Sequence, residues 1–381
     1  MNTDISQQLQ QRVQSAFEQA ASKQTGSKQV GSKQTTALQI IGGGSKNFYG
    51  NTTSAQALNV SGHSGVLNYE PTELVITARA GTLLSDIEKL LENNGQMLPF
   101  EPPAYSATAT LGGTIACNLS GPRRATAGAA RDFLLGCKII NGKGEILSFG
   151  GEVMKNVAGY DVSRLMAGAM GTLGVLLEVS LKVLPKAESE STQVFQCNFK
   201  EASEKTHSLS RTALPVSATC YHDSILRIRL SGTHNAVAAA MKSMGGDTME
   251  SASNYWHSIK EQQHDFFNTE KSLWRLSLAS NIENISLGGD VNDDNSDSHY
   301  LHEWGGALRW LKTDIAGDKI QRALEKLDGQ ATLFRNRKIN AEQNPIIFQP
   351  LSPGLLQIHK KLKLAFDPEN ILNPGKQYPD L

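Results

Sequence analysis

Residues 168–185 read GAMGTLGVLLEVSLKVLP, with glycines at 168, 171 and 174 set directly in front of an apolar run. The run predicts a strand, and the glycines a loop feeding it. Glycine so dense beside a strand costs conformational entropy and gives up side-chain packing. A fold without a ligand has little reason to accept that. Two further clusters repeat the texture upstream. ATLGGTIACNLSGP (109–122) gathers Gly112, Gly113, Thr114, Asn118, Ser120 and Gly121 in one irregular stretch. ALQII (37–41) reads as a short strand that runs into GGGSK, residues 42–46. Successive glycines let backbone N–H groups approach a phosphate, and Ser45 and Lys46 add a hydroxyl and a cation. The pattern is neither a Rossmann fingerprint, since Asn47 stands where the third glycine belongs, nor a Walker A loop. Together the three loops predict one extended, phosphate-bearing cofactor threaded through backbone donors.

Outside these loops the chain alternates strands and helices without a regular βαβ rhythm, which predicts an α+β fold. Ile5, Leu9, Val13, Phe17 and Ala20 make one helical stripe, a packing helix. Residues 22–35, SKQTGSKQVGSKQT, repeat with a period of five and predict a flexible tether. ELVITARAG (73–81) is strand-like, and TLLSDIEKLLENNG (82–95) predicts a helix closed at Asn94-Gly95. LLGCKII (134–140), the NGKG turn and EILSFG (145–150) predict a hairpin. The polar KAESEST after Pro185 marks a boundary. Three regions follow: 1–36, helix and tether; 37–186, cofactor-binding; 187–381, a smaller cap, with a tail returning to the first domain. In the second half VFQCNF, SILRIRLSG and ALRWL predict strands and NAVAAAMKSM a helix. Pro353 to Phe366 predicts an amphipathic helix, and FDPENILNPGK (366–376) a rigid turn.

Composition narrows the function. With 37 basic and 37 acidic residues the formal charge is zero, which argues against a polyphosphate-tracking role. Cys117, Cys137, Cys197 and Cys220 are scattered without a CxxC pair, so free thiols are expected and neither zinc nor an iron–sulfur cluster. The Asp-rich stretch within 286–298 lacks the glycine and glutamate of a calcium loop. No leader or spanning segment is visible, so a cytoplasmic protein is expected.

The order GGGSK, GGTIACNLSG, KNVAGYDVSRLMAGAMGTLGVLLEVSLKVLP and FDPENILNPGK resembles the FAD-linked oxidase family, with the fold of vanillyl-alcohol oxidase and p-cresol methylhydroxylase. VLNYEPTELVITARAGTLLSDIEKLL, GQMLPFEPP and EWGGALRWL are similar to the FAD-binding subunits of bacterial glycolate oxidases. The resemblance is strong over 37–186, the 303–311 stretch and the tail. It implies a p-cresol-methylhydroxylase-type FAD domain of two α+β subdomains with an α+β cap. It also implies that Ile41, Gly42, Gly43, Gly44, Ser45 and Lys46 form the loop over the FAD pyrophosphate. Gly112, Gly113, Thr114, Asn118 and Gly121 would follow the pyrophosphate and ribityl chain, and Gly171, Thr172, Gly174 and Val175 would add backbone contacts. No histidine stands in GGGSKNFYG, so the FAD is expected to be non-covalent. The activity implied is oxidation of glycolate or D-lactate to the 2-oxo acid. The implied partners are a second FAD-containing catalytic subunit and an iron–sulfur subunit that pass electrons to the quinone pool, with the complex at most peripheral on the membrane.

One departure qualifies the activity. Catalytic members carry a GDGNxH-type segment, which is missing here, and this leaves a second reading open: an assembly or electron-relay subunit whose partner turns substrate over. No catalytic residue is assigned. Trp304 and Arg309 are candidate substrate contacts, the arginine for a carboxylate, with sheet packing the competing role for Trp304 and Trp310. Lys155, Tyr160 and Asp161 are candidates near the flavin, although Asp161 with Arg164 equally suits a helix cap and ion pair. His299 and His302 are expected as loop-edge polar residues, His257 and His264 at the surface or core edge, and His63 in a turn. Cys220 and His222 flank Tyr221 without an evident third group.

Overall fold

The computed structural model describes residues 2–24, 36–151, 161–282, 285, 287, 299–337 and 346–381. Two sheets organise the chain into two lobes. The first holds five antiparallel strands in the order Val66–Glu70, Val75–Arg79, Val175–Lys182, Leu134–Ile140 and Ile146–Gly150. Val175–Lys182, the strand behind the 168–174 glycines, lies at its centre, and Val175, Leu177, Val179 and Leu181 are fully buried. The hairpin at 134–150 forms as its turn chemistry requires: Asn141 Oδ1 accepts the Lys143 and Glu145 amides.

Beside this sheet Leu38–Ile41 pairs in parallel with Gln56–Asn59. The Leu84–Glu92 helix buries Leu84, Ile87 and Leu91 on one face, the stripe its spacing dictates, and Gly95 follows at φ 65°. The N-terminal helix Ser6–Gln24 joins the same core through Leu9, Val13, Ala16 and Ala20. It is therefore packed into the first lobe, where the sequence reading had grouped it with the tether. Most of that tether, 25–35, lies outside the described residues.

The second sheet has eight strands, in the order Asp247–Thr248, Ser189–Gln196, Ile225–Gly232, Val216–His222, Tyr300–Glu303, Leu308–Thr313, Ser272–Ser277 and Gln330–Arg335. Its outer face is covered in part by the Gly317–Glu325 helix over Trp274, Leu276, Leu311 and Leu333. Its inner face meets the first lobe in a shared apolar layer. Cys220, Tyr255, Leu301, Trp304, Leu308, Trp310 and Phe334 come from the second lobe, and Tyr49, Leu119 and Met170 from the first.

The Pro353–Phe366 helix carries the chain back. Ser352 caps it by accepting the Leu355 amide, with proline in the first turn. The tail then locks onto the first lobe: Leu38 N donates to Ile371 O, and Asn373 N donates to Leu38 O. The architecture is α+β, as the sequence predicts.

Candidate functional site: a glycine-walled groove under the apolar layer

The three glycine clusters and the tail meet around one groove. Gly42 to Asn47, Gly112, Gly113, Ala116, Cys117, Met170, Gly171, Gly174, Asn373 and Lys376 line it. It holds about 770 Å³ of empty space, counting the solvent at its mouth. A second depression opens on the other side of Gly42, Gly43 and Thr110, between them and Gly65, Gly81 and Asp86.

Close approach explains the glycines. A Cβ on Gly43 would fall on the Thr108 carbonyl, and one on Gly112 would lie 2.6 Å from the Ala80 Cβ. Gly112 and Gly113 do not sit in an irregular stretch, as the sequence suggested. They open a helix, Leu111–Cys117, capped by Thr110, whose Oγ1 accepts the Gly113 amide. The helix tolerates them because Gly112 N donates to Ala80 O at 2.7 Å, a packing that any side chain would block.

Asn373 ties the walls together. Its Oδ1 accepts the Ile40 amide at 2.8 Å, and its Nδ2 donates to Met170 O at 2.6 Å. Lys376 Nζ donates to Asn51 O, and Gln377 Nε2 donates to Gly168 O. These tail contacts, and the groove-lining Cys117, were missed in the sequence. The sequence pointed to a tail that turns rigidly at FDPENILNPGK and returns to the first domain, without these individual contacts.

The groove fits FAD. The amides of Gly43, Gly44, Ser45 and Lys46 find no protein acceptor among the described residues, which leaves a run of N–H donors for a pyrophosphate. Thr114 Oγ1, in the helix behind the lining, is buried without a hydrogen-bond partner among the described residues. Lys46 is 8% exposed, and among the described residues its Nζ hydrogen-bonds only Ser45 Oγ and Ala104 O, both at 3.4 Å. Burial pulls its pKa below the ordinary lysine value, against the opposing charges of Cys117, Glu261 and Glu88. Burial lowers Lys376 likewise and raises the Cys117 thiol, with the lysines pulling the thiol the other way. An anionic ligand satisfies both ammonium groups.

Six of the residues assigned to FAD stand behind the lining. Ile41 O accepts the Val60 amide, and Val175 begins the central strand. Thr114 is in the Leu111–Cys117 helix, and Asn118 caps that helix at φ 50° while its Oδ1 accepts the Arg131 amide. Thr172 Oγ1 donates to Ala169 O. Gly121 packs against Glu101, and its carbonyl accepts the Trp304 indole N–H at 3.1 Å.

That last bond places Trp304 in the layer over the groove. Arg309 is elsewhere. Strand alternation turns it to the face opposite Trp310, where its guanidinium lies over Phe199 and donates to Gly306 O and Ile282 O. Two other arginines embrace Trp304, Arg124 at 4.5 Å and Arg275 at 5.4 Å from the ring centre. Neither guanidinium makes a hydrogen bond or ion pair with another described residue. Burial, and then the like charge of Arg275, lower the Arg124 pKa. Glu303, fully enclosed, accepts the Trp310 indole N–H at 2.8 Å, and burial pushes its carboxyl up to about 7. Neither arginine carried a sequence signal, because only the packing of the short Arg124–Ala127 helix against the second sheet brings it to Arg275 of the Ser272–Ser277 strand.

Of the remaining candidates, Asp161 caps the Val162–Met166 helix and pairs with Arg164 at 2.9 Å. Lys155 and Tyr160 lie outside the described residues. His302 corrects the loop-edge expectation: it is a strand residue, 6% exposed, stacked on Phe199 at 4.2 Å. His63 is a fully buried turn residue whose Nδ1 accepts the Ile5 amide. His264 caps a short helix and faces His222 and Tyr255, while Tyr255 OH donates to Cys220 Sγ. Among the described residues no cluster of metal-binding side chains occurs, and no helix is long and apolar enough to cross a membrane.

Comparison with known proteins agrees with the geometry. The FAD binding domain model matches residues 29–150, and the FAD linked oxidases C-terminal domain model matches 341–377. The chain is 45% identical to the glycolate oxidase subunit GlcE of Escherichia coli K12, over 91% of this chain and 94% of the relative. It is 24% identical to the glycolate oxidase subunit GlcD of Bacillus subtilis 168, over 82% of this chain and 77% of the relative. In fold it is similar to alkyldihydroxyacetonephosphate synthase, with a TM-score of 0.61 at 14% identity, covering 89% of this chain and 71% of that one.

Proposed function

The chain belongs to the FAD-linked oxidases, and from that premise we propose that it is the FAD-binding subunit of a glycolate oxidase complex. The complex oxidises glycolate or D-lactate to the 2-oxo acid. The single observation that carries the reading is the meeting of the three glycine loops around one groove with unpaired amide donors. FAD, when bound, supplies the two-electron chemistry by accepting hydride from the substrate. The chain supplies the rest. The Gly43 to Lys46 amides would hold the pyrophosphate, and Lys46 and Lys376 would balance its charge. The shared apolar layer would keep water from the reacting groups.

The substrate carboxylate is assigned to Arg124 and Arg275, whose unpaired guanidinium groups flank Trp304. Glu303, titrating near neutrality in the same layer, is the group able to take up the hydroxyl proton. Electrons leave through partners: a second flavoprotein subunit and an iron–sulfur subunit that delivers them to the quinone pool. The complex is cytoplasmic, at most peripheral on the membrane.

A second reading has its own support. Among the described residues no histidine lines the groove, which favours an electron-relay or assembly role with turnover in the partner flavoprotein. Anaerobic addition of glycolate to the purified chain separates the two. Bleaching of the flavin's visible absorbance without a partner supports the catalytic reading. An inert flavin that bleaches only when the second flavoprotein is added supports the relay.

A further inference from the structure

The lip of the groove at residues 101–106 has neither helix nor strand, yet it makes two contacts with the cofactor loop. Ala104 O accepts Lys46 Nζ at 3.4 Å. The Tyr105 ring stands edge-on to Phe48, with Lys46 Nζ 5.7 Å from its centre. An irregular segment needs something else to hold it. The amides of Ala104 and Tyr105 both donate to the carboxylate of Glu261, at 3.1 and 2.7 Å to Oε2. Glu261 belongs to the other lobe, immediately after the Ala252–Lys260 helix, and its side chain is 7% exposed. Lys260 Nζ completes the carboxylate's shell at 3.3 Å and reaches Glu88 of the first lobe at 3.8 Å. The carboxylate is thus acceptor-only, enclosed, and bonded to two amides and an ammonium, a set of charge-assisted bonds.

We infer that Glu261 is a positioning residue that sets the flavin loop from the opposite lobe. By gripping the Ala104 and Tyr105 amides it fixes the carbonyl that receives Lys46 and the ring that bounds the lysine's path. Lys46 has a long stem with many rotamers, so its ammonium stays on the groove only if its few partners are fixed. The lip is one such partner, and the lip's own place is decided from the cap. A shift of the Ala252–Lys260 helix would therefore be felt at the cofactor without any contact between that helix and the cofactor. The inference rests on the FAD reading of the groove.

The test uses the full chain and a double-mutant cycle of Glu261→Ala with Lys46→Met, read by the FAD dissociation constant. Hydrogen exchange at the Ala104 and Tyr105 amides is followed in parallel. Glu261→Ala is expected to speed exchange at both amides and to weaken FAD about tenfold, the effect of losing one charge-assisted bond. In the Lys46→Met background the same change is expected to weaken FAD less than about twofold, because the two residues act in series. Glu261→Gln keeps a carbonyl acceptor and should fall between, and it runs the same cycle if Glu261→Ala does not fold. An unchanged FAD affinity in the Glu261 variants overturns the inference. So does an undiminished tenfold loss in the Lys46→Met background, which would make Glu261 a general clamp. A wild-type chain that takes up no FAD refutes the reading of the groove, and this inference with it. Variants indistinguishable from a wild type that binds FAD refute the inference alone.

Discussion

Replacing Lys363 by methionine tests how the tail closes the groove. Lys363 is the one buried residue of the Pro353–Phe366 helix, and its Nζ donates to Thr172 O at 2.8 Å, Leu372 O at 2.7 Å and Asp367 Oδ2 at 2.7 Å. Asp367, 1% exposed, also accepts the Ile371 and Leu372 amides. One ammonium thus joins the return helix, the tail and the glycine loop before the central strand. Methionine keeps most of the volume but donates nothing. Asp367 is then enclosed without its ammonium partner, and two carbonyls lose a donor. Breaking a buried pair from one side costs about 3–5 kcal/mol. That is a large share of the 5–15 kcal/mol typical of a folded protein. Equilibrium unfolding in urea, followed by far-UV circular dichroism, measures the loss, and FAD retention reports whether Thr172 and Asn373 have moved. Changing Asp367→Leu in the same chain should restore part of the stability, since an apolar pair carries no desolvation penalty. A loss under about 1 kcal/mol, the range of an exposed ion pair, would refute the reasoning.

Arg275→Met should weaken the binding of glycolate or a 2-oxo-acid analogue, read as a perturbation of the flavin spectrum, by about tenfold or more. FAD affinity should hardly change, and an unaltered ligand affinity would remove Arg275 from the substrate site. Glu303 predicts a pH dependence of stability. Its carboxyl binds its proton more tightly folded than unfolded, so its contribution is full below the unfolded value near 4.5 and is lost as pH rises to about 7. Glu303→Gln, which needs no ionisation, should therefore flatten the fall in melting temperature between pH 5 and pH 8 that is expected of the parent. A parallel pH profile in the two proteins would contradict the shift.

The sequence made the first lobe legible for a physical reason. Strand-loop-glycine patterns are local, and the apolar run in Val75–Arg79 or the stripe in Leu84–Glu92 is written in consecutive residues. The cofactor groove was legible in the same way, because its donors are backbone amides of contiguous loops. What stayed hidden arises from long-range pairing. Arg124 and Arg275 converge only once the second sheet is laid on the first lobe, and Arg309 was misplaced because spacing alone does not say which face of a strand meets the groove. The Gly112-Gly113 stretch misled for another reason: glycine argues against helix, but the close contact with Ala80 and the Thr110 cap outweigh propensity. His302 looked like a loop residue because its strand has four residues and borders a stretch with loop composition.

The account's central claim is that three glycine loops form one FAD cradle, and reconstitution measures it directly. The purified chain, stripped of flavin and titrated with FAD, should take up a single equivalent and quench its fluorescence. Gly43→Ala, whose methyl group would collide with the Thr108 carbonyl, should lose that uptake while keeping the parent's circular dichroism. A folded wild-type chain that leaves FAD free, or a Gly43→Ala chain that binds it as the parent does, would contradict the account.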